Sequence, residues 1–152
     1  MHQRMGVRNM PTFHLNSLPK EKRIQMIGEF YDTVDSLKDR QEVRSFFKSL
    51  LAADEIAALM RRIEVAMLLS AEYSYDKIKK MLGVGNNKIS SVHKALLQDD
   101  SGYAMIVKRL IEDRKNRLIK IKKEGKGTID EKELEREALL FTPSSAAVRR
   151  KK

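Results

Sequence analysis

Cysteine is absent from the 152-residue chain, which excludes disulfides, thiolate nucleophiles and cysteine-ligated zinc. That composition fits a reducing, cytoplasmic setting. Proline and glycine are scarce, at three and seven residues, and alternating β-branched patterns are almost missing, so the fold should be all-α. No apolar run approaches the roughly eighteen residues of a membrane span. The opening stretch MHQRMGVRNM lacks the apolar core of a secretory signal and reads as part of a disordered lead-in over residues 1–16. Catalytic patterns are missing as well. His2, His14 and His93 lie far apart without metal-ligand spacing. The GVG and GKG stretches lack the strand and the Lys-Ser/Thr of a phosphate loop, and Asp99-Asp100 reads as loop polarity. No enzyme, metal or cofactor is expected.

What the chain has is positive charge. Lysine and arginine number 31 against 21 acids, a net +10, which favours a polyanionic partner such as nucleic acid. Charge alone names no substrate, since solubility or general RNA binding would also account for it. The length allows one modest core plus tails.

Helical spacing organises most of the sequence. A first helix is expected after Ser17, with Pro19 in its first turn, running to about Leu37 on an apolar stripe of Ile24, Ile27, Phe30, Tyr31 and Val34. Asp39 and Glu42 form a capping box for a short helix through Val43, Phe46, Phe47 and Leu50. A third helix spans about Asp54 to Ala71. Its second half, IEVAMLL, is apolar nearly all round and needs cover on both sides; a second subunit is the expected source, which makes the chain a homodimer. After the polar break QDDSG, a basic helix runs from Tyr103 to about Glu124. Between Tyr103 and Lys126 it carries nine Lys or Arg against three acids. Thr128 and Glu131 suggest a capping box for a last amphipathic helix, and VRRKK closes a basic tail. The expected domains are a lead-in at 1–16, a DNA-binding and dimerisation domain at 17–102, a basic helical extension at 103–141 and a flexible tail at 142–152.

The most specific signal is SYDKIKKMLGVGNNKISSVHKAL. Tyr75, Ile78 and Leu82 share one face of a first short helix. Gly83 supplies the positive φ that ends it, Val84 packs under the corner, and Gly85 completes the turn. In the second helix Ile89, Val92 and Leu96 point inward. Asn86, Asn87, Lys88, Ser90, Ser91 and Lys94 are left outside, free to read base edges in a major groove. An αα-hairpin in a helical core would show similar spacing, but a solvated face usually mixes signs, and here five lysines stand against Asp76 alone. The pattern is a helix-turn-helix. Asn86 or Asn87 can either pair with a base or N-cap the second helix; one of each is expected.

From about Leu37 to Leu110 the sequence resembles the Trp repressor superfamily, most closely its compact YerC/YecD-like bacterial branch. FFKSLLAADEI, RRIEVAMLL, the helix-turn-helix stretch and the SGY that follows carry the resemblance in the same order. It implies a Trp-repressor-like helical bundle, an intertwined homodimer, extra helices at the C-terminus, and a role as a transcriptional repressor of double-stranded DNA. Carried over by position, Asn86, Asn87 and Ser90 fall where the family touches bases, and Lys79 where it touches phosphate. Lys80 and the basic C-terminal region add phosphate anchoring. Lys79 departs from the small residue usual in the middle of the first helix. Arg61 or Arg62 matches a family arginine that holds the tryptophan corepressor. The second such position holds Ser91, however, and Val92 stands where the tryptophan-binding member has glycine. Tryptophan control is therefore not expected, and any other effector is unspecified. Arg61 and Arg62 otherwise read as surface charge or a phosphate contact.

Two further readings stay open from sequence alone. One is a non-specific architectural or RNA-binding protein driven by charge. The other is an interaction module that docks its C-terminal helices through Ile106, Leu110, Leu118 and Ile121.

Overall fold

The structure is a computed structural model describing residues 13–98, 102–125, 128 and 130–141. Seven α-helices, with no strand among the described residues, make the all-α fold expected: α1 Lys20–Asp35, α2 Arg40–Leu50, α3 Ala53–Ser70, α4 Tyr75–Leu82, α5 Asn86–Leu96, α6 Tyr103–Glu124 and α7 Glu131–Leu139. The start of the lead-in, residues 99–101 of the polar break, and the tail from residue 142 lie outside the described residues. The chain divides into two compact units, Met1–Leu51 and Ala52–Lys152.

In the first unit a 3-10 turn, Leu15–Ser17, precedes α1. Pro19 is the N-cap of α1, one position earlier than the first-turn role expected of it. The helix stops at Asp35, where the Ser36 hydroxyl donates to the Thr33 carbonyl at 2.6 Å. Asp39 then caps α2, its carboxylate accepting from the Glu42 N–H at 2.9 Å. Glu42 in turn accepts from the Lys38 N–H at 2.8 Å, so the return bond of the box lands one residue upstream of the cap. No residue of α1 or α2 is buried, and Phe30 and Tyr31 are 46% and 65% exposed.

In the second unit α3 is the central element. Glu64, Val65, Ala66, Met67 and Leu68 are buried in succession, which requires neighbours on every side. Helices α5 and α6 pack along it, with α4 and α7 completing the enclosure. This corrects the expectation from sequence: the all-round cover assigned to a second subunit comes from the chain's own C-terminal helices. Only the first half of α3 keeps large apolar residues in solvent, at Ile56 and Leu59.

The C-terminal end of α7 is gathered by Arg114. Arg114 of α6 donates from Nε to the Ala138 carbonyl at 2.7 Å, and from Nη2 to the carbonyls of Glu137 and Leu140 at 3.1 and 3.2 Å. These are carbonyls that a helix C-terminus leaves without intrahelical partners. The guanidinium also lies 4.0 Å from the centre of the Phe141 ring. Burial and the nearby Arg117 charge pull the Arg114 pKa below its ordinary value, while Glu64 opposes them. Glu64, 1% exposed, accepts from the Phe141 N–H at 3.3 Å and pairs with Arg61 at 3.7 Å. At its other end α7 is capped by Asp130, which accepts from the Lys132 N–H at 3.0 Å. Asp130 thus takes the capping role expected of Thr128. Leu134, Ala138 and Leu139 are buried.

Candidate nucleic-acid interface

Helix α4 opens at Ser74, whose hydroxyl accepts from the Lys77 N–H at 3.2 Å. It closes at Gly83, where φ is +67° and the N–H donates to the Lys79 carbonyl at 2.8 Å. This left-handed cap is the turn predicted from the glycine, and it sets the direction in which α5 departs. Ile78, Leu82, Ile89 and Val92 are buried, with Val84 packed against them at the corner. These are the inward positions named from sequence, so the crossing of the pair is fixed by the expected residues.

A polar contact that sequence reasoning missed adds to this packing. The Tyr75 hydroxyl and His93 Nδ1 lie 2.7 Å apart, and the two rings meet edge to face at 5.7 Å. His93 therefore links α5 back to α4, a role its sequence context did not mark. The only sequence signal would have been a tyrosine and a histidine facing each other across the glycine turn.

Gly85, not an asparagine, is the N-cap of α5. This corrects the expectation that Asn86 or Asn87 would take the capping role: both lie inside the helix, in its first turn. Asn86, Asn87, Ser91 and Lys94 are exposed, and Lys88 and Ser90 half-buried. None of these six side chains has a hydrogen-bond or ionic partner among the described residues. They form an uncommitted polar surface on a helix whose other side is locked into the core.

On α4, Lys79 is half-buried and Lys80 exposed. Lys77 behaves differently, its ammonium held 4.7 Å over the Tyr73 ring. Two residues along a helix is a rotation of about 200°, so Lys77 and Lys79 occupy nearly opposite faces of α4. Arg61 is engaged with Glu64. Arg62 is exposed and close enough to Tyr103 to lower its pKa, although burial outweighs this and leaves that phenol raised.

The basic helix α6 is less free than its charge suggests. Besides Arg114, Lys115 pairs with Glu135 at 3.7 Å and Lys122 with Glu137 at 3.6 Å. Among the described residues no cluster of three or more His, Asp or Glu is arranged to hold a metal, and no helix is long and apolar enough to cross a membrane.

Comparison with known proteins places this arrangement. Residues 25–111 match the profile of the family described as Trp repressor protein. The chain is 33% identical over 86 residues to the uncharacterized protein YerC of Bacillus subtilis (strain 168), covering 57% of this chain and 83% of that one. A solved structure of a candidate Trp repressor from Staphylococcus aureus is 28% identical, with a TM-score of 0.48 over 64% of this chain and 94% of the other. The family match spans α2 to α5, all but the first few residues of α1 and the opening turns of α6, and leaves α7 outside. The chain belongs to the Trp repressor family.

Proposed function

We infer that the protein is a cytoplasmic, homodimeric transcriptional repressor that reads double-stranded DNA by laying α5 in the major groove. The observation that carries this reading is the division of α5 into two sides. Ile89 and Val92 are buried, while Asn86, Asn87, Ser90 and Ser91 have no partner among the described residues. In a merely structural hairpin such amides and hydroxyls would gain by pairing with neighbours. Left unpaired on a fixed helix, the asparagines suit bidentate pairing with adenine N6 and N7. Lys79, Lys80, Lys88 and Lys94 serve the phosphates, which orient the helix without reading sequence. The surface that a second copy would cover is the apolar face of α1, where Ile24, Ile27, Phe30 and Tyr31 are exposed.

Selection from random duplexes at about 150 mM salt tests the reading, because phosphate-only binding is weak there. Recovery of a two-fold-symmetric motif is expected. Measurable binding without any motif would replace the repressor with a charge-driven binder. On the selected site Asn87→Ala should cost about 1–3 kcal/mol and leave random DNA unaffected. Lys79→Ala should weaken both and reduce the salt slope by about one unit.

A further inference from the structure

Helix α7 distributes its charges unevenly. Two of its four acids, Glu135 and Glu137, turn to Lys115 and Lys122 of α6, and its C-terminal carbonyls to Arg114. Its cations Lys132 and Arg136, one helical turn apart, line a cleft of about 380 Å³ shared with Lys77 of α4. Among the described residues none of these three side chains has an acidic partner. The one acid on the lining, Glu135, is already paired with Lys115. Three cations thus share one cavity with a single acid on its lining.

The rest of the lining is apolar. Tyr73, Met81 and Leu140, all half-buried, contribute to it. The exposed Lys77 places its ammonium 4.7 Å over the Tyr73 ring at the same cleft. The volume is at the lower end of small-molecule sites, roughly 300–1,000 Å³. We propose that this cleft between α4 and α7 binds a small organic anion with an apolar or aromatic body. Lys77, Lys132 and Arg136 meet its charge, and Tyr73, Met81 and Leu140 cover its body.

A DNA phosphate is the poorer occupant on two grounds. It would make no use of the apolar lining, and Lys77 faces away from Lys79, the α4 lysine assigned to the DNA backbone. The family match ends before α7, so Tyr73, Lys77 and Met81 come from within it and Lys132, Arg136 and Leu140 from beyond it.

Amide NMR of the full chain, titrated with 1-naphthylacetate, tests the proposal. Neutral 1-naphthylacetamide and inorganic phosphate run in parallel separate charge from shape. Saturable shifts are expected at Tyr73, Lys77, Met81, Lys132, Arg136 and Leu140, with the two other probes at least about ten-fold weaker. The double charge reversal Lys132→Glu/Arg136→Glu should abolish the shifts and leave the remaining spectrum unchanged. Equal binding of the amide, no saturation up to about 10 mM, or shifts that survive in the variant would each overturn it. Duplex binding by the same variant supplies a second readout. An unchanged salt slope is expected, and a slope smaller by about two units would assign these cations to DNA phosphate instead.

Discussion

Helices α1 and α3 are close in length, 16 and 18 residues, and both carry apolar stripes, yet α1 buries nothing and α3 buries five residues in a row. The difference lies in what surrounds them. Around the second half of α3 the chain supplies α4, α5, α6 and α7, and the apolar positions close into one cluster from Val65 to Leu139. Along α1, Ile24, Ile27, Phe30 and Tyr31 stay in solvent. An amphipathic pattern therefore states what a helix can bury without stating against which chain. A contiguous apolar face of this kind on a small protein marks an interaction surface. In the proposed dimer, its cover is the second copy.

The contrast is open to direct attack. Leu68→Ala should lower stability by about 2–5 kcal/mol at every protein concentration, because its cavity opens inside a core that one chain completes. Phe30→Asp should leave a dilute monomer within about 0.5 kcal/mol of the parent. At higher concentration it should shift the sedimenting species from dimer to monomer. Equal destabilisation at all concentrations would show that α1 is covered within its own chain, and the contrast would fail.

Next in size is Arg114→Ala. It removes three charge-assisted bonds to the end of α7 and should cost roughly 2 kcal/mol. Hydrogen exchange should quicken across α7 while α4 and α5 keep their protection. Loss of protection throughout the unit would mean that α3 to α6 do not hold together once the Arg114 bonds to α7 are gone. Gly83→Ala comes next. A Cβ added there would meet nothing within 4 Å, so the expected loss of about 1 kcal/mol is the backbone cost of φ +67° alone. Thermal unfolding of the two chains side by side checks it.

What could be read in advance follows the same division. Periodicity placed the helices and the inward residues Ile78, Leu82, Ile89 and Val92, because local spacing and a glycine turn determine them. It also found the polar side of α5. Contacts between residues distant in sequence were not legible. Nothing in the run of cations from Lys108 to Lys123 distinguishes Arg114, whose carbonyl partners lie more than twenty residues away. The same holds for Glu64, whose partner Phe141 is 77 residues on. The all-round apolarity of IEVAMLL was read correctly as a need for burial, but the source of cover depends on where α6 and α7 fold back. Capping was misplaced by one or two residues: Gly85 rather than an asparagine caps α5, and Asp130 rather than Thr128 caps α7.

The smallest expected effect separates the two roles once open to the asparagines. Gly85 caps α5 without a side-chain bond, at φ −82°, and an added Cβ would meet nothing within 4 Å. Gly85→Ser should therefore stabilise the second unit by a few tenths of a kcal/mol, its hydroxyl accepting from a first-turn N–H. If Asn86 and Asn87 are free for bases, this new cap competes with neither, and the selected DNA motif should be unchanged. A changed motif together with the stability gain would mean that the first turn of α5 bonds DNA through its backbone N–H groups, which the serine would then occupy.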